Sequence, residues 1–291
     1  MTIKDNITKE VVITADSTCD LPEHIVEKNQ IIITPLSILL GENSFTDGVD
    51  VSPKDIYEYV GKTNNLPKTA AVTPNYYADL FRQLTDAGKQ VVHIGLSSAI
   101  SSSYHNAVIA AEEFDNVYCV DSKSLCTGMG LLVLKACDYR DDGLDARTVS
   151  LKVSNLVPKV STTFIVDNLE YLHKGGRCSG VARFGANVLG IKPSIAVDNE
   201  TGKLDVAKKY RGKADLVYKQ YVNDCLKDIE NIDTSRIVIA NSGKIDSKVL
   251  DYVKGLVTSS AKFDEIIEAD AGCTISSHCG PKTLAIFYIR K

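Results

Sequence analysis

The sequence contains no apolar run of the about 20 residues that a helix needs to cross a bilayer. Its first residues, from Met1 to Asp5, lack the apolar core of a secretory signal peptide. A net charge of -4 supplies none of the basic excess that nucleic-acid-binding domains use. We therefore expect a cytoplasmic protein that binds no nucleic acid and makes no integral membrane contact.

None of the eight cysteines forms the Cys-X-X-Cys pair that is typical of zinc sites. In a reducing compartment they are predicted to be buried free thiols. The phosphate-binding loop GxxxxGK[ST] is also missing, so the chain has no obvious way to bind ATP. We predict no metal and no cofactor.

What is present fits a folded α/β protein. Hydrophobic residues make up 44% and charged residues 24% of the 291 positions, which is a normal globular composition. Hydroxyl residues Ser52 and Thr73 each precede a proline, a pattern that begins helices. A longer helical pattern covers 124–140. Between these patterns, apolar runs typical of buried parallel strands occur at 11–14, 31–34, 91–96 and 117–120.

The second half of the chain has a different pattern. Two β-rich runs, 194–197 and 204–207, flank a turn sequence and predict a hairpin. Further strands are expected at 163–166, 236–240 and 284–289. We predict two domains, an N-terminal parallel-sheet, three-layer αβα domain at 1–160 and a C-terminal mixed-sheet α/β domain at 161–291.

Polar residues follow the predicted strands, at the edge where open α/β sheets bind ligands. Asp16 and its neighbours follow the first strand, where they either cap the next helix or line a pocket. Five serines between 97 and 103 follow the third strand, and a helix start behind them would favour an anion. Thr69 has no evident structural duty in its loop.

Two further residues are candidates for a ligand or partner contact because of their positions in predicted turns. His278 lies in a predicted turn before the last strand and can donate a hydrogen bond to a carboxylate in either charge state. Arg177 follows two glycines in a turn. It is either a solvated surface residue or a contact for an anion or a partner.

Seven segments in this order resemble the DegV family. They are DSTCDLP at 16–22, PKT at 67–69, LSSAIS at 96–101 with Tyr104, VDS at 120–122, LEYL at 169–172 with GGR at 175–177, IKP at 191–193, and HCGP at 278–281. The chain departs from the family pattern at 70–73, at Ser102, and at Cys178 and Cys279. For the fatty acid site that the resemblance implies, these departures concern the geometry around the carboxylate and the preference for a particular acyl chain.

The resemblance implies a two-domain fold with a long-chain fatty acid between or within the domains. It implies that Thr69, Ser98 and His278 surround the carboxylate, with Ser97 adjacent, and that Arg177 lies near a docking face. The partner would be the catalytic subunit of a fatty acid kinase, which phosphorylates the bound acid with ATP and feeds phospholipid metabolism. The chain itself would then be a carrier and not an enzyme.

Physical estimates agree with a lipid site. Each buried methylene contributes about 0.8 kcal/mol, so the tail would supply the affinity. The carboxylate needs hydrogen-bond donors, because an unpaired buried charge is costly.

Two alternatives remain. The run from Gly95 to Ala99 approximates a serine-hydrolase elbow, with Ser98 as nucleophile and His278 as base. The serine-rich loop could instead bind a small phosphorylated ligand.

Overall fold

The computed structural model describes residues 9–178 and 191–291. A four-stranded parallel sheet in the order β2-β1-β6-β7 forms the N-terminal half. Every residue of its strand β1 is buried, as the apolar run predicts. The strands are β1 Val11–Asp16, β2 Ile32–Thr34, β6 Gln90–Gly95 and β7 Val117–Asp121.

Helices surround this sheet. Thr73 caps α3 with its side chain and Pro74 is the first helical residue, as predicted. The long helix α5 contacts β1 and β6 and also strands of the C-terminal sheet, so it is buried on nearly all sides. A Cβ at Gly130 would lie 2.8 Å from the carbonyl oxygen of Cys19, so only glycine fits there. The helices are α1 Glu23–Lys28, α3 Pro74–Asp86, α4 Ser103–Ala111, α5 Cys126–Asp141 and α6 Ala146–Leu156.

The second sheet has six strands in the order β10-β9-β8-β13-β11-β12. Only β11 and β12 pair in parallel among these neighbours, so the sheet is mixed. The predicted hairpin is confirmed as β9 and β10. The elements are β8 Val160–Ile165, β9 Ile191–Val197, β10 Leu204–Arg211, α8 Ala214–Cys225, β11 Ile232–Asn241, α9 Ser247–Ser260, β12 Glu265–Asp270 and β13 Leu284–Arg290.

A third, small antiparallel sheet in the order β4-β3-β5 was not predicted from the sequence. Its strands are β3 Ser37–Leu40, β4 Asn43–Thr46 and β5 Lys68–Ala70. Helix α2 Pro53–Thr63 lies between β4 and β5 in the chain. Two short helices complete the site region, α7 Glu170–Gly175 and α10 Cys273–Cys279. His278 lies in the last turn of α10, and the predicted turn before the last strand follows it at Pro281 and Lys282.

The predicted fold class is confirmed: an α/β chain with a parallel N-terminal sheet and a mixed C-terminal sheet. The domain boundary at 160/161 stays a prediction. In the described ranges, no helix combines the length and apolar character that a membrane span requires. The first five residues, on which the signal-peptide expectation was based, lie outside the described residues. None of the eight cysteines, all of which lie in the described ranges, forms a disulfide bond.

Candidate functional site

A cavity of about 220 Å³ lies where the loops after β6 and β7 meet β8, α7 and α10. Most of its wall is apolar and comes from both halves of the chain, including Leu96, Ile100, Leu125, Phe164, Leu172 and Ile275. Because the wall is mainly apolar, an apolar molecule is a suitable occupant.

A second, smaller space of about 30 Å³ adjoins the cavity. Leu125, Phe164, Ile275 and Cys279 line both spaces. The smaller space is also lined by the small apolar side chains of Ala240, Ala271 and Ala285. None of the described residues that line it is charged.

Two polar residues of the cavity wall, Thr69 and His278, are hydrogen-bonded to each other through their side chains. Thr69 Oγ1 lies 2.9 Å from His278 Nε2, although 209 positions separate the two residues in sequence. Strand β5 places Thr69 opposite Ile38 of β3. Helix α10, which contacts β3 and β5, brings His278 to the same place. The structure thus unites two of the predicted carboxylate-binding residues.

The imidazole of His278 is uncharged at neutral pH. Burial, together with the nearby Arg177 guanidinium, lowers the pKa of His278 to about 4. Its Nδ1 atom has no hydrogen-bond partner among the described residues. Since a buried N–H without a partner is rarer than a free lone pair, we place the proton on Nε2. His278 then donates to Thr69, whose own hydroxyl hydrogen stays free for a ligand.

The low pKa makes stability depend on pH in a defined direction. The unfolded chain protonates His278 near its ordinary pKa of 6.5, whereas the folded chain does so only near 4. The stabilising contribution is therefore complete above pH 6.5 and is lost as pH falls toward 4. An NMR titration of the ligand-free protein, with His278→Gln to assign the ring signal, should give a midpoint near 4. A midpoint near 6.5 would contradict this environment.

Helix α7 supplies the other neighbour of His278. A Cβ added at Gly175 would lie 2.6 Å from His278 Nδ1, closer than real contacts allow. The glycine therefore permits the imidazole to occupy its place against α7. Sequence reasoning assigned no such role to the Gly-Gly-Arg segment.

Asp47 holds the start of α10. Its carboxylate accepts hydrogen bonds from the backbone N–H of Cys273 at 3.0 Å and from the Ser17 hydroxyl at 2.9 Å. Ser17 in turn accepts from the N–H of Leu36. Ser17 and Asp47 thus hold the beginning of the helix that carries His278. Asp47 was not recognised as a site residue from the sequence.

Asp16 braces the opposite wall. It is fully buried, and its carboxylate accepts hydrogen bonds from Thr34, from Tyr77 and from the backbone N–H of Leu96. The bond to Leu96, at 2.8 Å, fixes the beginning of the serine-rich loop. Asp16 therefore contributes to the site through the loop that it holds.

Ser97 and Ser98 are not part of the cavity wall. The Ser97 hydroxyl donates to the carbonyl of Gly202 at 2.9 Å. The Ser98 hydroxyl donates to Asp121, and Lys123 contacts both residues. Ser101 and Ser102 line the cavity instead. The structure thus brings Ser101 and Ser102, but neither Ser97 nor Ser98, to the cavity wall, and the carboxylate contacts expected of Ser97 and Ser98 stay a prediction.

Arg177 lines the cavity, and its side chain is exposed to solvent. Arg177 therefore lies at the opening of the cavity. Its guanidinium donates to the carbonyl of Gly175 at 2.6 Å. The structure thus brings Arg177, Thr69 and His278 to one cavity. Within 9–178 and 191–291, no set of three or more His, Cys, Asp or Glu side chains is arranged to hold a metal ion.

Comparison with known proteins identifies the family. The family model described as "Uncharacterised protein, DegV family" matches residues 10–291. The chain belongs to the DegV family. A DegV domain-containing protein of Clostridium acetobutylicum is 31% identical over 285 residues, which cover 97% of this chain and 99% of that protein. The resemblance drawn from the seven segments is confirmed.

Solved structures of DegV proteins share this fold. A DegV family protein of Thermus thermophilus, described by its fatty acid binding, superimposes with a TM-score of 0.88 at 24% identity, covering 97% of this chain and 100% of that one. A stearic acid-binding protein of Eubacterium ventriosum has a TM-score of 0.82 at 27% identity, with coverage of 96% and 98%.

Proposed function

We propose that this DegV protein binds a long-chain fatty acid, with the tail in the apolar cavity and the carboxylate at Thr69 and His278. The observation that carries the proposal is a mainly apolar cavity whose wall includes the hydrogen-bonded side chains of Thr69 and His278. The Eubacterium protein, which is 27% identical to this chain, is a stearic acid-binding protein, and this supports the same ligand class here.

The energetics divide between tail and head group. About 0.8 kcal/mol per buried methylene favours long chains over short ones. The carboxylate loses its hydration when it enters and must recover hydrogen bonds from the protein. The Thr69 hydroxyl, oriented by His278, supplies a donor without introducing a formal charge. An uncharged environment also leaves the carboxylate reactive toward a phosphoryl donor.

The hydrolase alternative lacks support from the geometry of its two residues. His278 Nε2 is bonded to Thr69, and the Ser98 hydroxyl is bonded to Asp121. Burial alone would raise the pKa of Asp121, but its bonds to Ser98 and Lys123 hold that pKa below its ordinary value. Asp121 therefore binds Ser98 as a charged acceptor. A phosphorylated ligand is also less well matched, because the cavity wall is mainly apolar.

Titration of the lipid-free protein tests the binding function. Stearic acid should bind, and its methyl ester should bind more weakly, because the ester cannot accept the same charge-assisted hydrogen bond. An inorganic phosphate or sugar phosphate should not compete. Equal affinity for acid and ester would show that no head-group site exists, and competition by phosphate would favour the alternative ligand.

We further propose that the bound carboxylate is presented to a separate fatty acid kinase subunit, with Arg177 at the contact. Arg177→Ala should slow formation of the acyl phosphate by the kinase more than it weakens binding of stearic acid. Lys174→Ala is the matched control, since Lys174 pairs with Glu170 on the same segment and is absent from the cavity wall. Equal losses in turnover and binding for Arg177→Ala would count against a docking role.

A further inference from the structure

Helix α10 carries three buried hydroxyl residues, and one of them differs from the others. The hydroxyl of Ser276 donates to the carbonyl of Ala271 at 3.1 Å, and that of Ser277 donates to the carbonyl of Cys273 at 2.7 Å. Thr274 is only 3% exposed, and its Oγ1 atom has no hydrogen-bond partner in the described part of the chain. A buried hydroxyl without a partner is destabilising and rare. Its presence calls for a partner other than the residues at 9–178 and 191–291.

Thr274 lies on the cavity side of α10. Residues four apart share one face of a helix, so Thr274 and His278 project in the same direction. Both line the cavity together with Thr69, whereas Ser276 does not. The unpaired hydroxyl therefore adjoins the space that a ligand head group would occupy.

The proposed ligand requires another donor at this place. A carboxylate has two oxygens and about four lone-pair positions, whereas Thr69 offers one hydroxyl hydrogen. The carboxylate would remain largely unsatisfied if Thr69 were its only contact. We propose that the Thr274 hydroxyl donates a second hydrogen bond to the acyl carboxylate, so that Thr69 and Thr274 bind it together and His278 orients Thr69. This inference rests on the proposed fatty acid function.

Thr274→Val tests the assignment, because valine keeps the shape and removes only the hydroxyl. The affinity for stearic acid should fall about tenfold, which corresponds to about 1.4 kcal/mol. The melting temperature of the lipid-free protein should stay the same or rise, since an unsatisfied buried group disappears. Thr274→Ser should keep the wild-type affinity. Ser276→Ala, the control on the same helix, should lower the melting temperature and leave affinity unchanged.

Three outcomes would overturn the assignment. Thr274→Val could bind stearic acid as tightly as the wild type while Thr69→Val does not, and the binding function would then still stand. It could lose affinity for the acid and the methyl ester equally, so that the hydroxyl would not act on the carboxylate. It could melt at a lower temperature, so that the hydroxyl would have a partner within the protein. If the wild type itself binds no fatty acid, the proposed function fails as well.

Discussion

Thr69→Val is expected to weaken the binding of stearic acid by about 10- to 150-fold. A hydrogen bond to a charged group contributes about 1.5–3 kcal/mol, and its loss leaves a carboxylate oxygen buried without a donor. His278→Ala should have an effect of similar size, because Thr69 loses the partner that lies 2.9 Å away and orients its hydroxyl. Isothermal titration of the lipid-free proteins measures both changes.

The two substitutions should not be additive. Since Thr69 and His278 act as one hydrogen-bonded unit, the double variant should bind about as weakly as the weaker single variant. Thr163→Val provides a control, because this residue of β8 is hydrogen-bonded to Tyr221 of α8 and does not line the cavity. Wild-type affinity in the double variant would refute the head-group assignment.

Gly175→Ala is expected to lower the affinity for stearic acid about tenfold or more. The new Cβ would lie 2.6 Å from His278 Nδ1, so the imidazole must move and its bond to Thr69 must lengthen. The backbone itself should accept alanine, since a glycine within a helix is usually less stable than alanine by about 0.5–1 kcal/mol. Binding assays and the pKa of His278 would both report the displacement.

A double-mutant cycle isolates this contact. In a His278→Ala background the imidazole is absent, so the added Cβ at position 175 no longer collides with it. Gly175→Ala should then cause no further loss of affinity. Gly61→Ala is the matched control, because Gly61 lies within α2 and has no atom within 4 Å of an added Cβ. Full affinity in Gly175→Ala would mean that the position of His278 is not essential to the site.

The sequence was most informative where strands are long and buried. The strands of the N-terminal sheet and the hairpin of the second sheet were predicted because their apolar runs are continuous or flank a clear turn. Strands β3 to β5 were missed because they have three or four residues and are partly exposed. Strand β12 was missed because three of its six residues are acidic.

The site could be predicted only in part. The family resemblance selected Thr69, His278 and Arg177, which the structure places around one cavity. It also selected Ser97 and Ser98, which do not line the cavity, whereas Ser101 and Ser102, which it did not select, do. Which serines face inward depends on a loop conformation that Asp16 fixes through a tertiary hydrogen bond.

Thr274 and Gly175 were missed for a related reason. Thr274 matters because its own buried hydroxyl has no partner among the described residues, and Gly175 matters because the ring nitrogen of His278 lies beside it. Neither residue type predicts such a setting. Only the packing of α7 against α10 shows it.

Mass spectrometry of the organic and aqueous extracts of the purified protein tests most directly whether the cavity holds an acyl chain. We expect a long-chain fatty acid in the organic phase, at about one molecule per chain for the wild type. The double variant with Thr69→Val and His278→Ala should contain much less fatty acid. An extract without fatty acid, from a protein that also fails to take up added stearic acid and instead releases a polar anion into the aqueous phase, would contradict this expectation.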